Sequence, residues 1–282
     1  MEVYYFSGTG NSLHVARELR DRFADAKLIP MVQQMRINHP VTSSDAVGFV
    51  FPIHLAGMPY PVQDFIEKLN VDSATYLFAA VTRISTSHIA DIRLNSILKK
   101  KGKVLNAFFI MNMAANSPCG LVPKFFPGFK KMVESWVDRI APEKLTEMET
   151  AVQEKLNDII ETVNSRGSHW DGKNILSLAG KHLNSLLMSP LTKSTRRQKI
   201  PFTVDQDCTA CGWCEKVCLS GRITLNSGRP VWTPEVPCWF CYACFNSCPE
   251  QAILVRDRYE KKLGRYLNPF ISAEDIAEQK QV

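Results

Sequence analysis

The chain has 282 residues, of which 45% are apolar and 22% are charged, and its formal net charge is +6. This composition supplies enough apolar side chains for a sizeable core. No apolar run reaches the length of a membrane span, because stretches such as AFFIMNM at 107–113 are interrupted within one turn or strand. No signal peptide pattern is present. We therefore expect a soluble, cytoplasmic protein whose thiols are reduced.

The first elements are predicted from VYYFSGTGNS, residues 3–12. The stretch reads as a short strand, a small polar loop and a helix that begins near Asn11. In the loop, Gly8 and Gly10 permit close approach to the backbone, and the first helical turn offers N–H groups and its dipole. This pattern is typical of a phosphate-binding loop. The residues expected to contact the phosphate are Ser7, Thr9, Gly10, Asn11 and Ser12.

The kind of phosphate is indicated by two motifs that the loop does not match. A Walker loop requires a lysine after its second glycine, and a dinucleotide fingerprint requires a third glycine where Leu13 stands. The mismatch favours a terminal phosphate monoester held by neutral donors. A strand, turn and helix without any ligand is the alternative.

Apolar, strand-like runs alternate with helical segments through the rest of the first half, which predicts an α/β fold. A helix over 144–164 carries apolar residues at helical spacing and should be the last helix to pack on the sheet. Further strands are predicted at 47–51, 76–82 and 104–113, and further helices at 61–69 and 87–101.

The middle of the chain gives weaker signals. A second amphipathic segment, 175–187, either lies across a domain junction or offers a surface to a partner. SPLTKSTRRQKIP at 189–201 has prolines near both ends and a basic centre, which is typical of a linker. Cys119, in NSPCG, is either a reactive thiol or an ordinary cysteine.

Eight of the nine cysteines lie between Cys208 and Cys248, in two copies of the pattern C-x2-C-x2-C-x3-C. At this spacing three thiolates wrap one face of a 4Fe-4S cluster, and the fourth ligates the other cluster. Zinc is the alternative, but four-thiolate zinc sites usually take two C-x2-C pairs separated by a longer loop. The expected ligands are Cys208, Cys211, Cys214 and Cys248 for the first cluster, and Cys218, Cys238, Cys241 and Cys244 for the second.

Aromatic residues surround the second run, CWFCYACFNSC at 238–248. Apolar surroundings oppose the extra negative charge of a reduced cluster, so these rings should lower its reduction potential. They should also form the core of a small domain that has few aliphatic residues.

Residues 203–256 resemble the bacterial ferredoxins that carry two 4Fe-4S clusters. Besides the cysteines, the resemblance rests on Pro249 and the EQAI that follows it, and on Gly212 in CTACGWC. One difference from these ferredoxins is Leu219, which stands where a proline often follows the fourth cysteine of the first run. The loop at 7–12 resembles the FMN phosphate loop of flavodoxins. End to end, the chain resembles the flavodoxin-ferredoxin fusion proteins of anaerobic microbes.

This resemblance covers residues 1–113, 203–256 and a tail, GRYLNP at 264–269, whose role does not follow from the sequence. It implies a flavodoxin-like doubly wound parallel sheet of order 2-1-3-4-5, followed by a small α+β ferredoxin-like domain with two clusters. The implied boundaries are 1–170 for the FMN-binding domain, 171–201 for a helical and basic linker, 202–258 for the two-cluster domain and 259–282 for the C-terminal tail.

The resemblance also implies where the flavin ring lies, since such sheets bind ligands at the carboxyl ends of strands 1 and 3. Arg83 would stabilise an anionic reduced flavin, and His54 could donate a hydrogen bond to the ring. A solvated arginine and a histidine without a role are the alternatives. The implied ring contacts are Pro52, Ile53, His54, Leu55, Ala56 and Gly57 after strand 3, and Thr82, Arg83 and Ser85 after strand 4.

The net charge does not indicate nucleic-acid binding once the cofactors are counted. Two oxidised clusters with their thiolates contribute about −4 and an FMN phosphate about −2, so the formal +6 falls to about zero. No nucleic-acid motif is present.

These features predict a low-potential electron transfer protein that relays electrons between two 4Fe-4S clusters and FMN. It would exchange them with protein redox partners in anaerobic metabolism, and a homodimer is left open. One alternative is a flavoenzyme that reduces a small molecule at the FMN, with the clusters as an internal wire. Another is a redox sensor that signals through 175–187. The lack of an evident acid-base group near the flavin loops favours the carrier.

Overall fold

The structure of this protein is a computed structural model, and it describes residues 1–54, 57–83, 89–114, 140–172, 200–256, 262 and 264–281. The N-terminal part alternates strands with helices, whereas the C-terminal part consists of short strands, single-turn helices and a tail. The N-terminal elements are β1 (Glu2–Tyr5), α1 (Asn11–Arg22), β2 (Lys27–Pro30), α2 (Met31–Gln34), β3 (Ala46–Pro52), α3 (Tyr60–Lys68), β4 (Tyr76–Arg83), α4 (Ala90–Lys100), β5 (Ala107–Asn112), α5 (Pro142–Asn164) and β6 (His169–Trp170). The C-terminal elements are β7 (Phe202–Val204), α6 (Trp213–Lys216), β8 (Ile223–Asn226), β9 (Arg229–Trp232), α7 (Ala243–Asn246), β10 (Ile253–Val255) and α8 (Ala273–Glu278).

The N-terminal strands form one sheet in the order β2-β1-β3-β4-β5-β6, in which every neighbouring pair is parallel. The longest strands, β3 and β4, are apolar and buried almost throughout, as parallel strands in an α/β sheet usually are. The predicted fold class is therefore confirmed, together with the order 2-1-3-4-5. The added strand β6 has only two residues, which carry no detectable periodicity.

The predicted helix at 144–164 is also confirmed, as α5. This helix begins at Pro142, where the missing N–H costs no hydrogen bond. It lies against β5 and α1. Its buried side chains recur at helical spacing and are Val152, Leu156, Ile159 and Val163.

The C-terminal domain is built from two small antiparallel pairs, β7 with β10 and β8 with β9. The two cysteine runs share one local conformation. Each enters a single-turn helix through a left-handed residue, Gly212 with φ 79° before α6 and Tyr242 with φ 54° before α7. The third cysteine of each run, Cys214 or Cys244, therefore sits on that helix.

Some sequence predictions concern residues that the structure does not describe. The 175–187 segment, Cys119 and most of the 189–201 linker lie outside the described residues, so the domain boundaries stay predictions. Within the described ranges, no helix is both long enough and apolar enough to cross a bilayer.

We expect Leu156→Ala to lower the free energy of unfolding by about 2–5 kcal/mol, because it leaves a cavity between α5 and the sheet. Leu156 has no exposed surface. The matched control is Glu154→Ala on the exposed face of the same helix, which should change stability by about 0.5 kcal/mol or less. The measurement is the midpoint of urea unfolding under anaerobic conditions. Equal midpoints for the two variants would show that Leu156 is not packed between α5 and the sheet.

Candidate redox site

The loop that is predicted to bind phosphate, residues 7–12, joins β1 to the first turn of α1 and is buried; the name phosphate loop refers to these residues. Gly10 precedes α1 in the left-handed conformation, with φ 96°, and within the described part of the chain the helix has no side-chain cap. Asn11 and Ser12 in its first turn are 6% and 1% exposed. A buried helix N-terminus needs partners for its N–H groups, and its dipole favours an anion. In this respect the loop fits a phosphate group.

The polar side chains of the loop have partners within the protein. The Ser7 Oγ accepts from the Gly10 N–H at 3.2 Å, and the hydroxyl groups of Ser12 and Thr82 lie 2.8 Å apart. The Asn11 Nδ2 donates to the Ala114 carbonyl at 3.1 Å. The Asn11 side chain therefore orders the loop, and the backbone N–H groups of the first turn are the better candidates for holding phosphate.

The predicted ring loops lie at the same edge of the sheet. Pro52, at the end of β3, pairs with Thr82 on β4, and the Ile53 N–H donates to the Thr82 carbonyl at 2.9 Å. His54 and Gly57 exchange two backbone hydrogen bonds, of 2.9 and 2.8 Å, which close a tight turn. Leu55, Ala56 and Ser85 lie outside the described residues.

Two titratable side chains belong to this edge. Burial lowers the pKa of the His54 imidazole to about 4, so the ring is neutral at pH 7. The Arg83 Nε donates to the Asn112 Oδ1 at 3.3 Å, and burial lowers the pKa of its guanidinium. Arg83 remains a cation at neutral pH, as arginine does in proteins.

The structure places Cys248 with the first cysteine run. Together with Cys208, Cys211 and Cys214 it lines one cavity, which Ala252 and Ile253 also border. The pKa of the Cys214 thiol is raised to about 11, mainly by burial and in part by the nearby Cys248, Cys211 and Cys208. This grouping is the one that crossed ligation requires.

Cys218 lies with the second run in the same way. The pKa of the Cys241 thiol is raised to about 12, mainly by burial and in part by the neighbouring Cys218 and Cys238. The pKa of Cys244 is raised by burial and then by Cys218, Cys241 and Cys238. Because metal binding requires thiolates, assembly at these sites must release protons. Among the described residues, no three His, Cys, Asp or Glu side chains are grouped to hold a single metal ion.

The two cysteine groups differ in exposure. Residues 209–211 of the first run are exposed, whereas 242–247 of the second run are buried. Three aromatic side chains of the second run are buried: Phe240, Tyr242 and Phe245.

The buried run packs directly against the phosphate loop. A Cβ added at Gly8 would lie 2.1 Å from the Cys241 carbonyl oxygen. The rings of Phe6 and Trp239 are 6.0 Å apart, and the Tyr60 hydroxyl donates to the Cys238 carbonyl at 3.1 Å. The second cysteine group is therefore the inner one, next to the predicted flavin site.

Two cations lie beside the inner group. Burial raises the pKa of the Cys238 thiol, and the charge and hydrogen bond of the nearby Arg222 oppose that shift. Arg222 is only 6% exposed. The Lys280 ammonium donates to the Glu215 carbonyl at 2.9 Å; burial lowers its pKa, and Cys218 opposes that change. Both cations favour negative charge at the inner group.

Comparison with known proteins bears on the C-terminal domain. A family model described as "4Fe-4S dicluster domain" matches residues 207–253, which contain both cysteine runs. Residues 207–253 form a 4Fe-4S dicluster domain. Among solved structures, rubredoxin oxygen:oxidoreductase from the anaerobe Desulfovibrio gigas is 16% identical, with a TM-score of 0.30, over 57% of this chain and 36% of that chain. A likeness this distant carries no argument about function. The search of curated proteins found no match.

Sequence reasoning missed the contact between the dicluster domain and the phosphate loop, and it missed the C-terminal tail that covers the same loop. The only available signal was the resemblance of GRYLNP at 264–269 to the tail of fusion proteins. That signal indicates a shared segment but not its position.

We expect Gly8→Ala to separate the dicluster domain from the sheet edge, because backbone atoms of Cys241 occupy the space that the methyl group needs. Hydrogen exchange should then increase in residues 5–12 and 238–245, while iron content is retained because all cysteines remain. Gly102→Ala is the control. Among the described residues other than its two chain neighbours, no atom lies within 4 Å of a Cβ added at Gly102. The substitution should therefore cost only the local strain of the positive φ, about 1 kcal/mol. Unchanged exchange in Gly8→Ala would refute the close junction.

Proposed function

We propose that this protein is an electron carrier that binds two 4Fe-4S clusters and FMN and exchanges electrons with protein partners. The observation that carries the proposal is the direct packing of the second cysteine run on the phosphate loop, at Gly8 and Cys241. When bound, the clusters supply one-electron transfer and FMN supplies one- or two-electron transfer. The proposed ligands of the first cluster are Cys208, Cys211, Cys214 and Cys248, and those of the second cluster are Cys218, Cys238, Cys241 and Cys244. The proximity of Cys248 to the first run and of Cys218 to the second supports this assignment.

The surroundings of the cysteines support a definite order of the two sites. The exposed loop at 209–211 gives an external redox protein access to the first cysteine group, which is the outer one. The inner group is enclosed by aromatic side chains that exclude water, and Arg222 and Lys280 favour added negative charge there. These differences support the first, exposed cysteine group as the site that exchanges electrons with a protein partner. They support the second, inner group as the site that exchanges electrons with FMN.

We propose that the α1 N-terminus holds the FMN phosphate and that the β3 and β4 loops contact the ring. His54 is neutral at pH 7, so it would donate or accept a hydrogen bond without adding charge. Arg83 carries the positive charge that would stabilise an anionic reduced flavin. The proposed FMN contacts are Ser7, Thr9, Gly10, Asn11 and Ser12, with Pro52, Ile53, His54, Leu55, Ala56, Gly57, Thr82, Arg83 and Ser85.

A cavity of about 500 Å³ favours a second candidate function. It lies beside the phosphate loop, between α5 and the tail, and its lining includes Met113, Met148 and Phe270. A small molecule in this cavity would make the protein a reductase. Anaerobic reoxidation of the reduced protein by ferredoxins or flavodoxins, compared with small organic acceptors, distinguishes the carrier from the reductase.

Crossed ligation predicts a specific pattern of iron loss. The wild-type protein should hold about eight iron and eight sulfide per chain. Cys218→Ser combined with Cys241→Ser removes two ligands of one cluster and should leave about four iron, whereas Cys218→Ser combined with Cys211→Ser should lose most iron. Iron and sulfide analysis with EPR of the reduced protein gives the measurement. The assignment is wrong if the second double variant keeps about four iron.

Phosphate recognition predicts a preference for FMN over riboflavin. Two or more hydrogen bonds to a charged phosphate, each contributing about 1.5–3 kcal/mol, should make FMN bind at least about a hundredfold more tightly. Quenching of flavin fluorescence on titration of flavin-free protein measures both affinities, with iron content as the check that the clusters remain. Equal affinities would show that the loop at 7–12 does not hold a phosphate.

A further inference from the structure

The C-terminal tail, residues 264–281, covers the phosphate loop. The side-chain amide of Gln279 pairs with the backbone of Ser7: its Nε2 donates to the Ser7 carbonyl at 2.8 Å, and its Oε1 accepts from the Ser7 N–H at 3.0 Å. The Asn268 N–H donates to the Thr9 carbonyl at 2.9 Å. Gln279 and Asn268 are 0% and 2% exposed, so these contacts are fully buried.

These contacts orient the loop. A loop that binds an anion must turn its N–H groups toward the ligand and its carbonyl oxygens away, because a carbonyl dipole repels negative charge. Here the Ser7 and Thr9 carbonyls accept from the tail, and the Gly10 carbonyl accepts from the His14 N–H at 2.8 Å. All three carbonyls are therefore held by donors, two of which the tail supplies.

The tail also fixes the first residue of α1. The Asn11 Oδ1 accepts from the Tyr266 hydroxyl at 2.8 Å and from the Asn268 Nδ2 at 3.2 Å. The side chain of Asn268 packs against Gly10, since a Cβ added there would lie 2.8 Å from the Asn268 Cβ. The left-handed turn at Gly10 is thus held from outside as well as by its own conformation.

Contacts away from the loop hold the tail in place. Arg17 on α1 pairs with Asp275 at 2.5 Å, and Ser272 and Asp275 form a capping box at the start of α8. On the dicluster side, the Arg265 guanidinium donates to the Gln251 and Ile253 carbonyls at 3.0 and 2.8 Å. The tail is therefore anchored to both domains.

We propose that the tail is part of the FMN site, and that Gln279 and Asn268 are positioning residues that keep the phosphate loop in its anion-binding conformation. This inference rests on the proposed function, in which the loop binds the FMN phosphate. It assigns to the 264–281 segment a role that its sequence alone does not reveal. The ligand specified by this arrangement is a flavin that carries a terminal phosphate.

The test compares FMN with riboflavin. Gln279→Leu keeps most of the side-chain volume and removes both hydrogen bonds to Ser7. We expect its FMN affinity to fall about tenfold or more, while its riboflavin affinity stays within about twofold of wild type, because only phosphate binding is disturbed. If Gln279 had only a structural role, the substitution would weaken the binding of FMN and of riboflavin to a similar extent. Gln281→Leu, two residues later and exposed, is the matched control and should match the wild type.

A second variant keeps the test decisive if Gln279→Leu folds poorly. Asn268→Ala in the full chain removes the side-chain donor to the Asn11 Oδ1 but keeps Gln279 and every cysteine, and it should show the same selective loss of FMN. Iron content near that of the wild type shows that the dicluster domain is intact. If FMN binds either variant as tightly as the wild type, or more tightly, the inference is overturned; tighter binding would identify the tail as a competitor. Failure of the wild type itself to bind FMN would overturn the proposed function instead.

Discussion

The junction between the two domains depends on the lack of a side chain at residue 8. The Cys241 carbonyl oxygen lies 2.1 Å from where a Cβ would stand, so the two backbones meet where any other residue would hold them apart. Phosphate loops use glycine so that a ligand can approach the main chain. In this protein the glycine at position 8 also allows the second cysteine run to approach the main chain of the loop. The distance between the inner cysteine group and the phosphate loop is therefore set by a backbone contact.

The packing between the phosphate loop and the tail is polar, and it is specified by hydrogen bonds. Asn11, Asn268 and Gln279 are buried, yet each has partners in the structure. A buried amide without partners costs about 1–3 kcal/mol, so the loop, the tail and the dicluster domain hold one another in a single arrangement. Apolar packing alone would tolerate small shifts of the tail. Paired amides tolerate much less, because hydrogen bonds depend on distance and angle.

The two cysteine runs show how one motif acquires two environments. Their spacing and local conformation are the same, but 209–211 is exposed, while Phe240 and Phe245 are buried around the inner group. Arg222 and Lys280 place positive charge beside the inner group. Hydrogen bonds, charge and solvent access tune the potential of a 4Fe-4S cluster. The difference between the two sites therefore lies in the surroundings that the fold provides.

Sequence patterns were sufficient wherever a constraint acts between residues close in the chain. Alternation of strands and helices predicted the α/β fold, and apolar spacing predicted α5. Cysteine spacing predicted that Cys248 groups with the first run and Cys218 with the second. The order of the strands in the sheet was implied by the resemblance to flavodoxins and not by these patterns. The β6 strand was missed, because two residues are too few to show a period.

Tertiary structure alone decided the surroundings of the phosphate loop. Asn11 has the residue type of a phosphate donor, but its side chain is engaged by Ala114, Tyr266 and Asn268. Ser7 and Gln279 are 272 residues apart in the chain and meet through two hydrogen bonds. Helical and strand periods and ligand spacings leave a repeated mark on the sequence because they act over short separations. A single polar contact between distant segments leaves no such mark, so the sequence determined the elements and the cysteine motif, and only the folded chain determined what lies against them.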